Sequence, residues 1–221
     1  VHRSYTAGLL LLTASTGAID AVSYLALDRV FTGNMTGNVL FIGFALVGVA
    51  GIPLLNNIIA LLGFVVGSIV SGRIVGRGHQ EKLPLASAWV LLVGGALAIG
   101  LGIFWTVLGD LPHLAILVIT FLLAVVMGGQ VSAVKPVGNS DITTIVVTNT
   151  LANLARDSRL GGGKGQAWVH RLLAVVMMGL GAALGAWVIT IWGGPWALFA
   201  AALIYVAGAV TLIIAGRRKL I

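Results

Sequence analysis

Apolar residues in this chain do not alternate with polar ones; they run on for about twenty positions at a time, with short polar interruptions. Six such runs stand out, at roughly 5–27, 55–76, 86–108, 112–134, 167–191 and 195–215. At about 1.5 Å per residue, twenty helical residues cross the ~30 Å hydrocarbon core of a bilayer, so each run predicts a transmembrane helix. Two further stretches, 34–50 and 143–155, are apolar but short. Both open on polar residues: Asn34, Thr36 and Asn38 in the first; Thr143, Thr144, Thr148 and Asn149 in the second.

Composition agrees with the runs. The 221 residues are 59% hydrophobic and 9% charged, with a mean hydropathy of +1.09, whereas soluble domains carry about 25% charged residues. Once the runs are removed, only loops remain, so a separate soluble domain is not expected. No small-x-small cleavage site follows the first run, which therefore reads as a retained span. There is no cysteine, which excludes a disulfide framework, a thiolate metal site and a cysteine nucleophile. The four histidines fall near span ends without metal-ligand spacing, and no Ser/His/Asp set or carboxylate pair is visible. Neither an enzyme nor a resident cofactor or metal is expected. A net charge of +7 invites a nucleic-acid reading, but the basic residues lie in short loops between spans, where membrane topology explains them better.

Those loops decide how the short stretches run. Eight full crossings would put Arg73, Arg77 and Lys82 on the face opposite His2-Arg3 and Arg217-Arg218-Lys219, against the tendency of Lys and Arg to gather on the cytoplasmic side. If both short stretches dip in and return, the two ends, the 73–82 loop and the 156–171 loop share one face. Of thirteen Lys and Arg, Arg29 alone is then left on the other. The predicted fold is an all-α integral membrane protein with six transmembrane helices plus two re-entrant half-helices arranged as an inverted 3+3 repeat. The repeats are approximately 5–108 and 112–215, within a single membrane domain over 1–221. Weak internal similarity agrees: Gly17-Ala18-Ile19-Asp20-Ala21 and Met35-Thr36-Gly37-Asn38 correspond to Gly128-Gly129-Gln130-Val131-Ser132 and Val147-Thr148-Asn149-Thr150. Inverted repeats with broken helices are a recurring transporter architecture.

Non-helical backbone at membrane depth is tolerated where it is buried in protein or lines a wet cavity. In this reading the two half-helices bring their N-termini together near the midplane, where free amides attract anions or carbonyl oxygens. Thr32, Asn34, Thr36 and Asn38, with Thr144, Thr148 and Asn149, are candidate solute-binding residues; the same residue types also cap half-helices with no ligand present. Asp20 lies inside the first span on a face shared with Thr13, Thr16, Gly17 and Tyr24, and an intramembrane carboxylate is costly and usually functional. Three roles are open to it: a proton or cation coupling site, a partner for Lys135 or Arg29, or a ligand for backbone amides of the "NMTGN" turn. Tyr24 and Gln130 are its candidate companions in coupling or gating. The pairs Gly63/Gly67 and Gly181/Gly185 and the set Gly94, Gly95, Gly100 and Gly102 read as helix-packing faces. Tryptophans such as Trp105 and Trp187 read as interfacial anchors.

Gly17, Asp20, Ala21 and Tyr24 in the pattern GxxDAxxY, followed by "FTGNMTGN", resemble the YoaK-like family of bacterial integral membrane proteins, a domain of unknown function (group 1275). "MGGQ" at 127–130 and "TTIVVTNTLANL" at 143–154 are similar to that family's second signature, with departures at Val131-Ser132 and Thr148-Asn149. The resemblance implies a multi-pass protein of the bacterial cytoplasmic (inner) membrane, with both ends cytoplasmic on the charge argument above. Together these observations predict a small transporter or channel-like permease for a small polar or anionic solute, in contact with the lipid bilayer and not with nucleic acid. The glycine-rich faces allow a homodimer. The alternative is a structural or assembly protein with no transported substrate.

Overall fold

The computed structural model describes residues 3–76, 82–137, 147–158, 161–163 and 168–217, the side chains of residues 3 and 4 excepted. These form eight helices: α1 (Arg3–Ala26), α2 (Met35–Leu46), α3 (Leu54–Val75), α4 (Leu85–Leu108), α5 (His113–Val134), α6 (Val147–Arg156), α7 (Trp168–Trp192) and α8 (Gly194–Arg217). Six are long and apolar enough to cross a membrane, and α2 and α6 are not. The chain is thus an all-α, multi-pass membrane protein.

Proline and glycine punctuate the spans. Pro53, Pro84 and Pro112 stand immediately before α3, α4 and α5, where a missing N–H costs no helical hydrogen bond. Gly76, Gly109 and Gly193 follow α3, α4 and α7 with φ of 80°, 71° and 87°, a positive φ that glycine adopts without strain and other residues do not.

Close helix crossings fix the direction of every span. Gly17 of α1 lies against the Met178 carbonyl of α7, while Gly181 and Gly185 lie against the carbonyls of Ala14 and Ala18. Positions rise together along both helices, so α1 and α7 are parallel. The pair α3 and α5 is built alike: Gly67 meets the Val125 carbonyl, Gly128 meets the Phe64 carbonyl, and Ser71 Oγ donates to the Gly129 carbonyl at 3.0 Å. Helix α8 runs antiparallel to α1, with Ser15 Oγ donating to the Ala201 carbonyl at 3.0 Å. It also runs antiparallel to α4, where Gly95 meets Val206 and Gly102 meets Phe199. Helix α5 is antiparallel to α4 in turn, Gly129 meeting Val90 and Gly94 meeting Val126, so α1, α4 and α7 point one way and α3, α5 and α8 the other.

Two consequences concern the ends of the bundle. The start of α1, the start of α4 and the end of α8 meet, as the Leu83 amide donates to Tyr5 Oη at 3.1 Å and Gly216 lies beside the same hydroxyl. Among the described residues, Arg29 is the sole Lys or Arg at the opposite end. At the basic end Arg171, on the first turn of α7, donates to the Asn153 carbonyl and to Asp157 Oδ2, each at 2.8 Å, tying α6 to α7. Two expectations are corrected. Trp105 is not a lipid anchor but is buried against Gly194, and Gly100, unlike Gly94, Gly95 and Gly102, has nothing packed on it.

A side chain added at Gly181 would fall on the α1 backbone, so Gly181→Leu should cost about 3 kcal/mol. Gly179→Leu faces open space and should stay within about 0.5 kcal/mol of the parent; thermal midpoints of the two purified variants check this. Hydrogen bonds from Arg156 and then Arg171 hold the Asp157 carboxyl below its ordinary range. A depressed aspartate contributes stability above its unfolded pKa of about 3.9 and loses it as the pH falls through the lower folded value. The thermal-midpoint gap between the parent and Asp157→Asn should be constant above about pH 4 and close below it.

Candidate functional site

The site begins with a periodicity on α1. Thr13, Thr16, Asp20 and Tyr24 recur every three or four residues and so share one helical face. Thr13 and Thr16 return their hydroxyl protons to the carbonyls of Leu9 and Leu12, at 2.8 and 3.0 Å, which satisfies them within the helix. Asp20 has no such recourse, because an ionised carboxylate accepts hydrogen bonds only.

Its donors come from the segment after α1. The helix closes with the Leu27 and Arg29 amides bonded back to the Ser23 and Tyr24 carbonyls. Asp28 and Arg29 both take left-handed backbone, φ 71° and 56°, a conformation that disfavours non-glycine residues by about 1–2 kcal/mol each. The Asp28 carboxylate accepts from Asn56 Nδ2 at 3.0 Å, fastening this reversal to the first turn of α3. The chain then folds back alongside α1 until the Thr32 and Gly33 amides reach Asp20 Oδ1, at 3.1 and 2.7 Å, with the Asn34 amide also on the carboxylate. Asp20 lies six residues before the end of α1, so the fold-back descends about 9 Å. Gly33 is needed there: a Cβ would sit 3.1–3.2 Å from Thr16 Cγ2 and both Asp20 oxygens.

From this point α2 leads outward. Asn34 caps it by accepting from the Gly37 amide at 3.4 Å. Asn38 pairs with Phe31 in both directions: its Nδ2 donates to the Phe31 carbonyl at 2.6 Å and its Oδ1 accepts from the Phe31 amide at 3.0 Å. Phe31 is thereby held against Tyr24, ring centroids 4.9 Å apart and 17° from parallel.

These elements wall a cavity of about 600 Å³. Helix α1 supplies Gly17, Asp20, Ala21, Tyr24 and Leu25, and the fold-back with α2 supplies Phe31, Gly33, Asn34, Met35 and Thr36. Facing them are Met178, Ala182 and Ala186 of α7, Phe64 of α3, and Val147 and Thr148 at the start of α6. The starts of both short helices thus open on one space, which extends from the middle of the bundle toward the end that carries Arg29.

Of the residues expected at a site, Asp20, Tyr24, Asn34, Thr36 and Thr148 line this cavity. The others do not. Thr32 is buried in the fold-back, its hydroxyl without a partner among the described residues. Asn38 is spent on Phe31, and Asn149 is exposed away from the wall. Gln130 is buried between α5 and α1, where its Nε2 donates to Thr16 Oγ1 at 3.1 Å. It is joined to the Asp20 face one turn away without reaching the cavity. Thr143 and Thr144 lie outside the described residues. Phe31 and the α7 residues were missed. Met178, Ala182 and Ala186 do carry a signal, a spacing of four, but it is the same spacing that marks helix packing at Gly181 and Gly185. Of the three roles open to Asp20, the geometry supplies a backbone-amide ligand, with Thr32 and Gly33, just before the "NMTGN" turn, as the donors. Among the described residues no ion pair joins it to Lys135 or Arg29, and Lys135 lies at the other end of the bundle.

The sequence pattern of a family described as protein of unknown function (DUF1275) matches residues 8–211 of the chain. The chain is also 32% identical over 156 residues to UPF0700 transmembrane protein YoaK of Bacillus subtilis (strain 168), covering 71% of this chain and 67% of that protein. No solved structure matches. A match over nearly the whole length, from the first span to the last, means that the chain belongs to the DUF1275 family.

Proposed function

We propose that the chain is a small secondary transporter or channel-like permease whose polar solute binds in the cavity between the starts of α2 and α6. The observation that carries this is the cavity itself: some 600 Å³ of space inside a membrane bundle, with a carboxylate on its wall. Apolar helix packing alone requires neither the space nor the charge, and a carboxylate at membrane depth usually marks a solute or ion path.

The pattern of helix packing supports an inverted repeat around that space. Exchange each helix for the one four places along the chain, and the packed pairs exchange among themselves. Helix α1 on α7 answers to α5 on α3, α1 on α8 to α5 on α4, and α2 on α3 to α6 on α7. The contacts match as well, Gly17 on Met178 answering to Gly128 on Phe64 and Gly181 on Ala14 to Gly67 on Val125. Helices α1 and α5, the leading members of the two halves, run in opposite directions, which is the inversion. Spans α1 and α3 are antiparallel, as are α5 and α7, so neither α2 nor α6 has to cross, and both read as re-entrant half-helices. Access would alternate by rocking one repeat on the other. With the basic end cytoplasmic, the cavity as it stands faces the far side.

A second reading, an assembly protein without a solute, draws on the fact that Asp20, Asn34 and Asn38 all find partners inside the chain. Water separates the two. Because the chain has no cysteine, single cysteines report directly. In proteoliposomes, Thr36→Cys and Ala186→Cys should react with a membrane-impermeant maleimide, while Val93→Cys, on the lipid-facing side of α4, should not. If neither cavity position reacts, the junction is dry and the assembly reading stands. For solute flux, Asp20→Asn should remove dependence on a pH gradient while the protein still purifies folded; flux indifferent to both sinks the coupling role.

A further inference from the structure

Given that reading of the cavity as a solute site, the chemistry of its wall narrows the solute. Among the described residues Asp20 is the one carboxylate on the wall, and no Lys, Arg or His stands on it. Free amides before and at a helix start elsewhere draw anions, but here the Thr32 and Gly33 amides just before α2 are turned onto Asp20 and the Gly37 amide of its first turn onto Asn34 Oδ1. An anion entering here meets a negative charge and, among the described residues, no basic side chain to offset it.

A cation meets the reverse. A carboxylate has about four lone-pair sites; the Thr32 and Gly33 amides both fall on Oδ1, which leaves acceptor capacity on a side chain that lines the space. Beside it the stacked rings of Tyr24 and Phe31 present aromatic surface, whose faces attract cations. The remaining wall is largely apolar, with Phe64, Met178, Ala182 and Ala186 opposite, and favours a ligand with a hydrocarbon body. A bare metal ion is poorly served: hard cations take about six or more oxygen ligands, and among the described residues no three of His, Asp and Glu converge.

We infer that the cavity takes a small organic cation, a protonated amine or quaternary ammonium, with its charge on Asp20 and its apolar body along Tyr24 and Phe31.

The test is equilibrium binding to the purified full chain in a neutral detergent. The probes are choline and benzyltrimethylammonium, the uncharged choline isostere 3,3-dimethyl-1-butanol, and benzoate. Both cations should bind and raise the thermal midpoint; the isostere and benzoate should do neither. Asp20→Asn keeps a carbonyl oxygen for the Thr32 and Gly33 amides, and should weaken cation binding by about tenfold or more. Tyr24→Leu, which leaves the carboxylate and its amides in place, should weaken it about threefold. The inference is overturned if the isostere or benzoate binds as well as choline, if the parent binds neither cation, or if both variants bind like the parent. The cysteine probes at Thr36 and Ala186 separate the two failures. Reactive positions with no cation binding remove the solute class and leave the permease, whereas unreactive positions remove the permease and the class with it.

Discussion

The structure turns on one carboxylate and the amides that answer it. Asp20 occupies a helix interior where, among the described residues, its charge meets no cation, and the chain answers by folding its next segment back until Thr32 and Gly33 point their N–H groups at Oδ1. The exchange is mutual. The fold-back is non-helical backbone laid against an apolar span, a setting that calls for its polar groups to be satisfied, and Asp20 satisfies the Thr32 and Gly33 amides. Everything nearby follows from that bargain: the left-handed turn at Asp28 and Arg29, the glycine at 33, the Asn38 brace on Phe31, and the start of α2 at the cavity wall.

The same logic explains why the cavity exists. A full-length helix in place of the fold-back and α2 would fill the space beside α1. Because the chain turns back early, α2 is only 12 residues long, and its start leaves a gap that α7 meets with small side chains, Ala182 and Ala186, rather than bulky ones. Glycine does a different task one step around that helix. Gly181 and Gly185 bring the α7 backbone onto α1, which holds the far wall at a fixed distance from Asp20.

Much of this was legible in the residues, and the limits are physical. Span positions came from the length of the apolar runs, to within two residues at each boundary, because proline and glycine sit where the hydropathy changes. The shortness of α2 and α6 was legible, like the spans, in the length of their apolar stretches. Asp20 stood out because a charge in a span is rare. What the sequence could not give was helical phase between partners. Gln130 looked like a counterpart across the cavity and instead faces Thr16 inside the bundle, since one step of 100° on α5 decides which neighbour it meets. Trp105 near a span end looked like a lipid anchor; it is buried because Gly194, almost ninety residues away, leaves room for it. Asn34 and Asn38 differ by one helical turn, yet one reaches the cavity and the other is consumed by Phe31.

The distance along the chain between Asp20 and its donors bears on how the protein is made. The donors arrive only 12 and 13 residues after the carboxylate, whereas α7, the helix packed in parallel on α1, is synthesised some 150 residues later. The nascent first span can therefore supply its carboxylate with hydrogen bonds from its own following segment before its packing partner is made. A carboxylate answered by a late helix would leave the first span charged and unpaired through most of translation. Local satisfaction makes the costliest residue of the fold a feature that the earliest stage of insertion can accommodate.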